Sequence, residues 1–187
     1  MPLMLLLRAT AWVLLVLGLR TAALRVFDRM LALDPVHTFA RASRAHLRAQ
    51  AGERDAAIAD LQRLLAQQPA DAASWFNLGF LLEAEGRSAE AEAALRQAVQ
   101  HNPKLDRAWY GLGLCLLQLG RPEEAIAAFK RNTELQPLSP YGWTQLARAL
   151  QRHNQPAEAA RVVEHLSGFE PKVAEALRRE MSSQAPA

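Results

Sequence analysis

Trp75, Trp109 and Trp143 stand 34 positions apart, and the columns around them keep the same step. Leu78, Leu112 and Leu146 repeat it, followed by Leu82, Leu116 and Leu150, and by Ala91, Ala125 and Ala159. Pro69, Pro103, Pro137 and Pro171 punctuate the series, while Gly52, Gly86 and Gly120 give way to Asn154 at the matching turn. A unit of this length is one supersecondary motif. It cannot bury both of its own faces, so neighbouring copies must stack.

The spacing inside a copy says what the motif is. Trp75, Leu78 and Leu82 recur at steps of three and four, which puts them on one face of a helix. Gly79 and Gly113 remove a side chain where two helices must approach closely, and Gly86 and Gly120 make the turn to a second helix. The prolines come after that helix has ended and precede the next hairpin. Composition agrees: half of the 187 residues are hydrophobic, much of that fraction is helix-favouring alanine, and β-branched residues are sparse. The chain reads as all-α.

These residues resemble the tetratricopeptide-repeat (TPR) family. One copy has the W-x2-L-G-x2-L run at Trp75, Leu78, Gly79 and Leu82, then Ala91, Leu95, Ala98 and Pro103. The next has Trp109, Leu112, Gly113, Leu116, Ala125, Phe129 and Pro137, and the last Trp143, Leu146, Ala147, Leu150, Ala159, Val163 and Pro171. The resemblance covers about residues 38–173 and implies a helical-hairpin solenoid with copies at 72–105, 106–139 and 140–173. Residues 38–71 form a degenerate first copy or N-cap, because Arg41, Arg44 and Arg48 stand at the positions of Trp75, Leu78 and Leu82, while Ala57, Leu61, Leu64, Leu65 and Pro69 are conventional. Asn132 replaces the usual alanine, which either loosens that junction or gives it a hydrogen bond. Residues 174–187 are read as the remnant of a capping helix and a frayed tail.

The solenoid is expected to follow a single N-terminal membrane helix at residues 1–20. Residues 3–19 carry Arg8 as their only charge and would span about 25 Å as a helix, close to a hydrocarbon core. Two other readings stand beside it: a secretory signal cleaved near Thr21-Ala22-Ala23, and a helix lying in the membrane interface. Residues 21–37 read as a basic amphipathic juxtamembrane segment. Arg20, Arg25 and Arg29 would reach anionic lipid, Arg8 would snorkel or meet a membrane partner, and Arg41, Arg44 and Arg48 would lie against lipid or another subunit. Seven arginines against two acids in residues 1–50 contrast with fifteen basic against seventeen acidic residues in the rest. The slightly acidic body argues against nucleic acid as a partner. The positive-inside rule favours a cytoplasmic TPR domain, with the periplasmic orientation as the alternative.

The family resemblance implies that the first helix of each hairpin lines a concave face. That places Phe76, Asn77 and Phe80, then Tyr110, Leu114, Leu117 and Gln118, then Tyr141, Thr144, Gln145 and Arg148 in a groove suited to an amphipathic helix or an extended apolar peptide. No metalloprotease, phosphate-loop, nucleophile-elbow or dinucleotide motif is present, His37, His46, His101, His153 and His165 form no close spacing motif, and lone Cys115 reads as buried. No cofactor or metal is expected. The functional expectation is a non-enzymatic, bacterial inner-membrane scaffold that recruits, stabilises or assembles a membrane complex. A permanent accessory subunit of such a complex and a periplasmic chaperone-like module are the alternatives.

Overall fold

The computed structural model describes residues 2–183 as eleven helices joined by short turns. They are α1 (Pro2–Val16), α2 (Arg20–Leu33), α3 (Thr38–Gln50), α4 (Arg54–Leu65), α5 (Ala72–Ala84), α6 (Ser88–His101), α7 (Asp106–Gln118), α8 (Pro122–Leu135), α9 (Pro140–Arg152), α10 (Pro156–Ser167) and α11 (Pro171–Ser183). Each helix packs chiefly on its neighbours in sequence, giving five stacked hairpins closed by the single helix α11. The tail residues 184–187 lie outside the described residues.

The turns explain the hairpins. Gly52, Gly86 and Gly120 have φ of 82°, 73° and 71°, and Asn154 takes the same left-handed conformation at 57°. Gly18, one period before Gly52, has φ 73°. The repeat frame therefore continues to the N-terminus: Leu7, Ala11, Leu14, Ala23, Phe27 and Pro35 stand 34 positions before Arg41, Ala45, Arg48, Ala57, Leu61 and Pro69. Leu7, Ala11, Ala23 and Phe27 are all buried in one cluster with Met30 and Leu31.

This corrects the expected membrane helix. The helix formed by the apolar stretch does not continue through residue 20; it ends at Val16, and the chain turns at Gly18 and folds back as α2, making α1 the first helix of a fifth hairpin. No described helix is long and apolar enough to cross a membrane. The segment read as juxtamembrane supplies α2, which buries Ala23, Phe27, Met30 and Leu31 and exposes Arg20, Arg25 and Arg29.

A repeated hydrogen bond ties each hairpin to the turn before it. The indole Nε1–H of Trp75, Trp109 and Trp143 donates to the carbonyl of Pro69, Pro103 and Pro137 at 2.8, 2.9 and 2.8 Å. Arg41, in the same column, donates from Nη2 to the carbonyl of Pro35. Inside the hairpins, a Cβ on Gly79 would lie 2.6 Å from Leu95 Cγ, and one on Gly113 would lie 2.5 Å from Phe129 Cε1, so each glycine is set by close helix packing.

Asn132 supplies a hydrogen bond at its junction: its Nδ2 donates to the Asp106 carbonyl at 2.9 Å. Room for the larger side chain comes from Gly142, where a Cβ would sit 2.0 Å from Asn132 Oδ1. At the C-terminal end, α11 places Ala174 and Leu177 against Ala147, Val163 and Leu166.

Candidate functional site

The first helices of successive hairpins line one open groove. A pocket of about 490 Å³ in it is formed by Phe76, Phe80 and Glu83 of α5, Asp106, Arg107, Tyr110, Gly111 and Leu114 of α7, Leu95 of α6, Gln136 at the end of α8, and Ser139 and Tyr141 at the start of α9. Phe80 and Tyr141 are 60% and 72% exposed, unusually open for aromatic side chains. Phe80 also borders a second pocket of about 390 Å³ with Asn77, Ala42, Ala45, His46 and Arg54. His46 and Ala42 carry the groove on to Phe39 and Leu15. Apolar side chains with a few interspersed polar groups are the surface chemistry of a peptide-binding groove.

The predicted groove residues divide. Phe76, Phe80, Tyr110, Leu114 and Tyr141 meet in the main pocket, and Asn77 lies in the adjoining one. Leu117 packs against the core instead. Gln118 is held between Glu83, to which it donates at 3.1 Å, and the Ser88 hydroxyl, which donates to it at 2.8 Å. Thr144 and Gln145 are half-buried outside both pockets. Arg148 grips Glu180 of α11, with Nη2 2.8 Å and Nε 3.0 Å from the carboxylate. That hydrogen bonding lowers the Glu180 carboxyl below its ordinary value and raises the Arg148 guanidinium above its own.

Arg107 was missed, although it stands one period before Tyr141. Its guanidinium lies 5.2 Å from the centre of the Phe76 ring, so the pocket floor carries a cation stacked on an aromatic face. Asp106 and Glu83 set two carboxylates near it. Leu15 was missed because residues 1–37 were placed outside the repeat frame, and Phe39 and His46 because the first copy was read as degenerate or an N-cap.

The arginines expected to face lipid or another subunit also divide. Arg41, Arg44 and Arg48 converge on Asp60 of α4, a fully buried carboxylate with 0% exposure. Arg44 donates from Nε at 2.8 Å and Nη2 at 2.6 Å, and Arg48 from Nη1 at 2.9 Å; Arg41 Nη1 lies 3.6 Å away. A third bond from Arg44, Nη1 to Asp28 at 2.8 Å, reaches α2. Hydrogen bonding to Asp60 raises the Arg44 guanidinium above its usual value, while burial lowers that of Arg41. These three charges are consumed within the fold, because a buried cation requires a paired and hydrogen-bonded partner. Asp60 occupies the column of Ala94 and Ala128. The first copy has thus exchanged the apolar Trp, Leu, Leu and Ala set for an ionic one. Arg8, by contrast, lies 4.4 Å over the Phe39 ring, and Arg20, Arg25 and Arg29 are exposed and form no ion pair among the described residues.

Comparison with known proteins follows the same frame. A tetratricopeptide-repeat family model matches residues 42–106 and 81–140, together more than half of the chain. Among solved structures, a crystal structure of the MamA protein superposes with a TM-score of 0.84 at 20% identity, covering 92% of this chain and 94% of that one. YrrB, described as a TPR protein with an unusual peptide-binding site, gives 0.80 at 19% identity over 90% and 88% of the two chains. PilF of Pseudomonas aeruginosa gives 0.73 at 21% identity over 96% and 87%. No curated protein matches by sequence. With the columns, the five stacked hairpins and the family match in agreement, the chain belongs to the tetratricopeptide-repeat family.

Proposed function

We propose that this protein is a non-enzymatic interaction scaffold whose groove between α5, α7 and α9 takes an apolar, aromatic-containing segment of a partner protein. The observation that carries this reading is the pairing of Phe80 and Tyr141 at the rim with Phe76 and Tyr110 beneath them, in a pocket large enough for several side chains. Exposed aromatics around a preformed concavity bind at low entropic cost because their rotamers are few. Arg107, Asp106 and Glu83 supply the polar contacts that orient the guest. YrrB, of the same fold, is itself described as having a peptide-binding site, which supports the assignment. The setting we propose is recruitment or assembly of a membrane complex at a bacterial inner membrane.

The permanent-subunit alternative drew on Arg41, Arg44 and Arg48 docking against other chains. Those groups are occupied within this one, so the groove is the better-supported contact surface. A photoreactive residue at Tyr141 should cross-link a defined set of proteins in cells. Phe80→Ser with Tyr110→Ser should abolish that set while helicity is kept. An unchanged set of cross-linked proteins in the double variant would overturn the reading.

A further inference from the structure

The two ends of the solenoid are finished differently. At the C-terminal end, α11 turns Lys172, Glu175, Arg178 and Arg179 outward, the polar capping that a repeat stack needs for solubility. At the N-terminal end, α1 buries Leu7 and Ala11 and turns the opposite side outward as Leu5, Leu6, Trp12, Val13 and Val16. Leu5, Trp12 and Val16 are 68%, 66% and 66% exposed. In the repeat frame Leu6 and Val13 hold the columns of Ala40 and Leu47, which are buried where α2 covers α3, and α1 has no such neighbour among the described residues; Leu5, Trp12 and Val16 hold the groove-side columns of Phe39, His46 and Gln50, which stay exposed in α3. An apolar face of this kind marks an interaction surface.

Charge decides what covers it. The α1–α2 hairpin carries Arg8, Arg20, Arg25 and Arg29, all exposed, and its single acid, Asp28, is turned to Arg44. A second copy docked face to face would oppose two sets of arginines with no acid between them. An anionic surface complements them, and a helix of fifteen residues lies along a bilayer rather than across it. We propose that the α1–α2 hairpin is an in-plane membrane anchor: α1 embeds its outer face at the headgroup–acyl boundary of an anionic bilayer, Trp12 sits at that boundary, and Arg20, Arg25 and Arg29 engage lipid phosphates. The solenoid end then rests on the membrane, and the pocket between α5, α7 and α9 remains open to protein. This inference is independent of what the groove binds.

The test is flotation of the full chain with vesicles of phosphatidylcholine alone or with one-quarter phosphatidylglycerol. Trp12 emission is read with lipids brominated at shallow or deep positions, and Trp12→Phe subtracts the signal of Trp75, Trp109 and Trp143. The expected result is salt-sensitive binding to the anionic vesicles, with quenching strongest at the shallow position and lost in Trp12→Phe. Replacing Arg20, Arg25 and Arg29 by Gln should weaken binding about fivefold per arginine with the circular dichroism spectrum unchanged. Equal or absent binding to the two vesicle types, or quenching strongest at the bilayer centre, would overturn the proposal. So would a dimer in light scattering that Leu5→Glu dissociates.

Discussion

Arg44 holds Asp60 through two parallel hydrogen bonds, Nε to Oδ2 at 2.8 Å and Nη2 to Oδ1 at 2.6 Å, across the first helix pair of the region matched by the family model. Asp60 is the shared acceptor for Arg41, Arg44 and Arg48, so removing it takes the buried carboxylate from three cations at once and leaves Arg44 only its bond to Asp28. Asp60→Ala should lower unfolding stability by about 3–5 kcal/mol. Replacing the whole set with the residues of the next copies, Arg41→Trp, Arg44→Leu, Arg48→Leu and Asp60→Ala, should restore stability to about the wild-type level, because an apolar group of matched shape carries no desolvation cost. Chemical denaturation of both variants measures the contrast.

Gly142→Ala should destabilise by about 1–3 kcal/mol, since the new Cβ overlaps Asn132 Oδ1. The preceding junction has alanine at both equivalent positions, Ala98 and Ala108. Asn132→Ala combined with Gly142→Ala should therefore recover most of the loss. A double-mutant cycle is expected to show coupling above about 1 kcal/mol.

Glu180 ties α11 to α9 in its ionised form. Its carboxyl is lowered in the folded state by the Arg148 hydrogen bond, so folding favours the carboxylate. The contribution is fully present above the ordinary carboxyl value of 4.5 and fades as pH falls through the lowered folded value. The pair is partly exposed, so its worth is less than about 1 kcal/mol. Wild-type and Glu180→Gln stabilities, compared by urea titration, should differ at pH 7 and converge in strong acid.

Cys115 is fully buried on α7, and burial pushes its thiol up to about 11. At pH 8 it should react with an aromatic disulfide reagent far more slowly than a free thiol, and promptly once guanidinium unfolds the chain. Rapid labelling of the native protein would show that the α7–α8 hairpin opens locally.

The period of 34 was visible in the sequence because tryptophan, leucine, glycine and proline each answer a local steric demand, and those demands return in every copy. Phe76, Phe80, Tyr110, Leu114 and Tyr141 were legible as groove residues because the family resemblance implies that the first helix of each hairpin lines the concave face, and helical phase turns them to one side of it. Arg107 was overlooked although its column partner Tyr141 was identified, since its place in the groove comes from stacking on Phe76 of the neighbouring hairpin. Arg148 had the right phase but finds Glu180 on a helix whose docking no local pattern specifies.

The N-terminal hairpin shows where the two levels part. Hydropathy at residues 3–19 measures preference for an apolar environment, and it is the same whether lipid or protein supplies that environment. Gly18, Ala23, Phe27 and Pro35 carried the repeat frame, yet whether the chain turns at Gly18 depends on α2 offering Phe27 and Met30 to Leu7 and Ala11. Likewise the three arginines of the first copy announced a missing apolar stripe, but their balance with Asp60 needed the approach of α3 and α4. The sequence by itself determined the hairpin unit, its period and its all-helical character, because these rest on short-range sterics and periodicity. Only the tertiary structure decided the number of hairpins, the partners of the buried charges and the extent of the groove, because each depends on which surfaces meet after stacking.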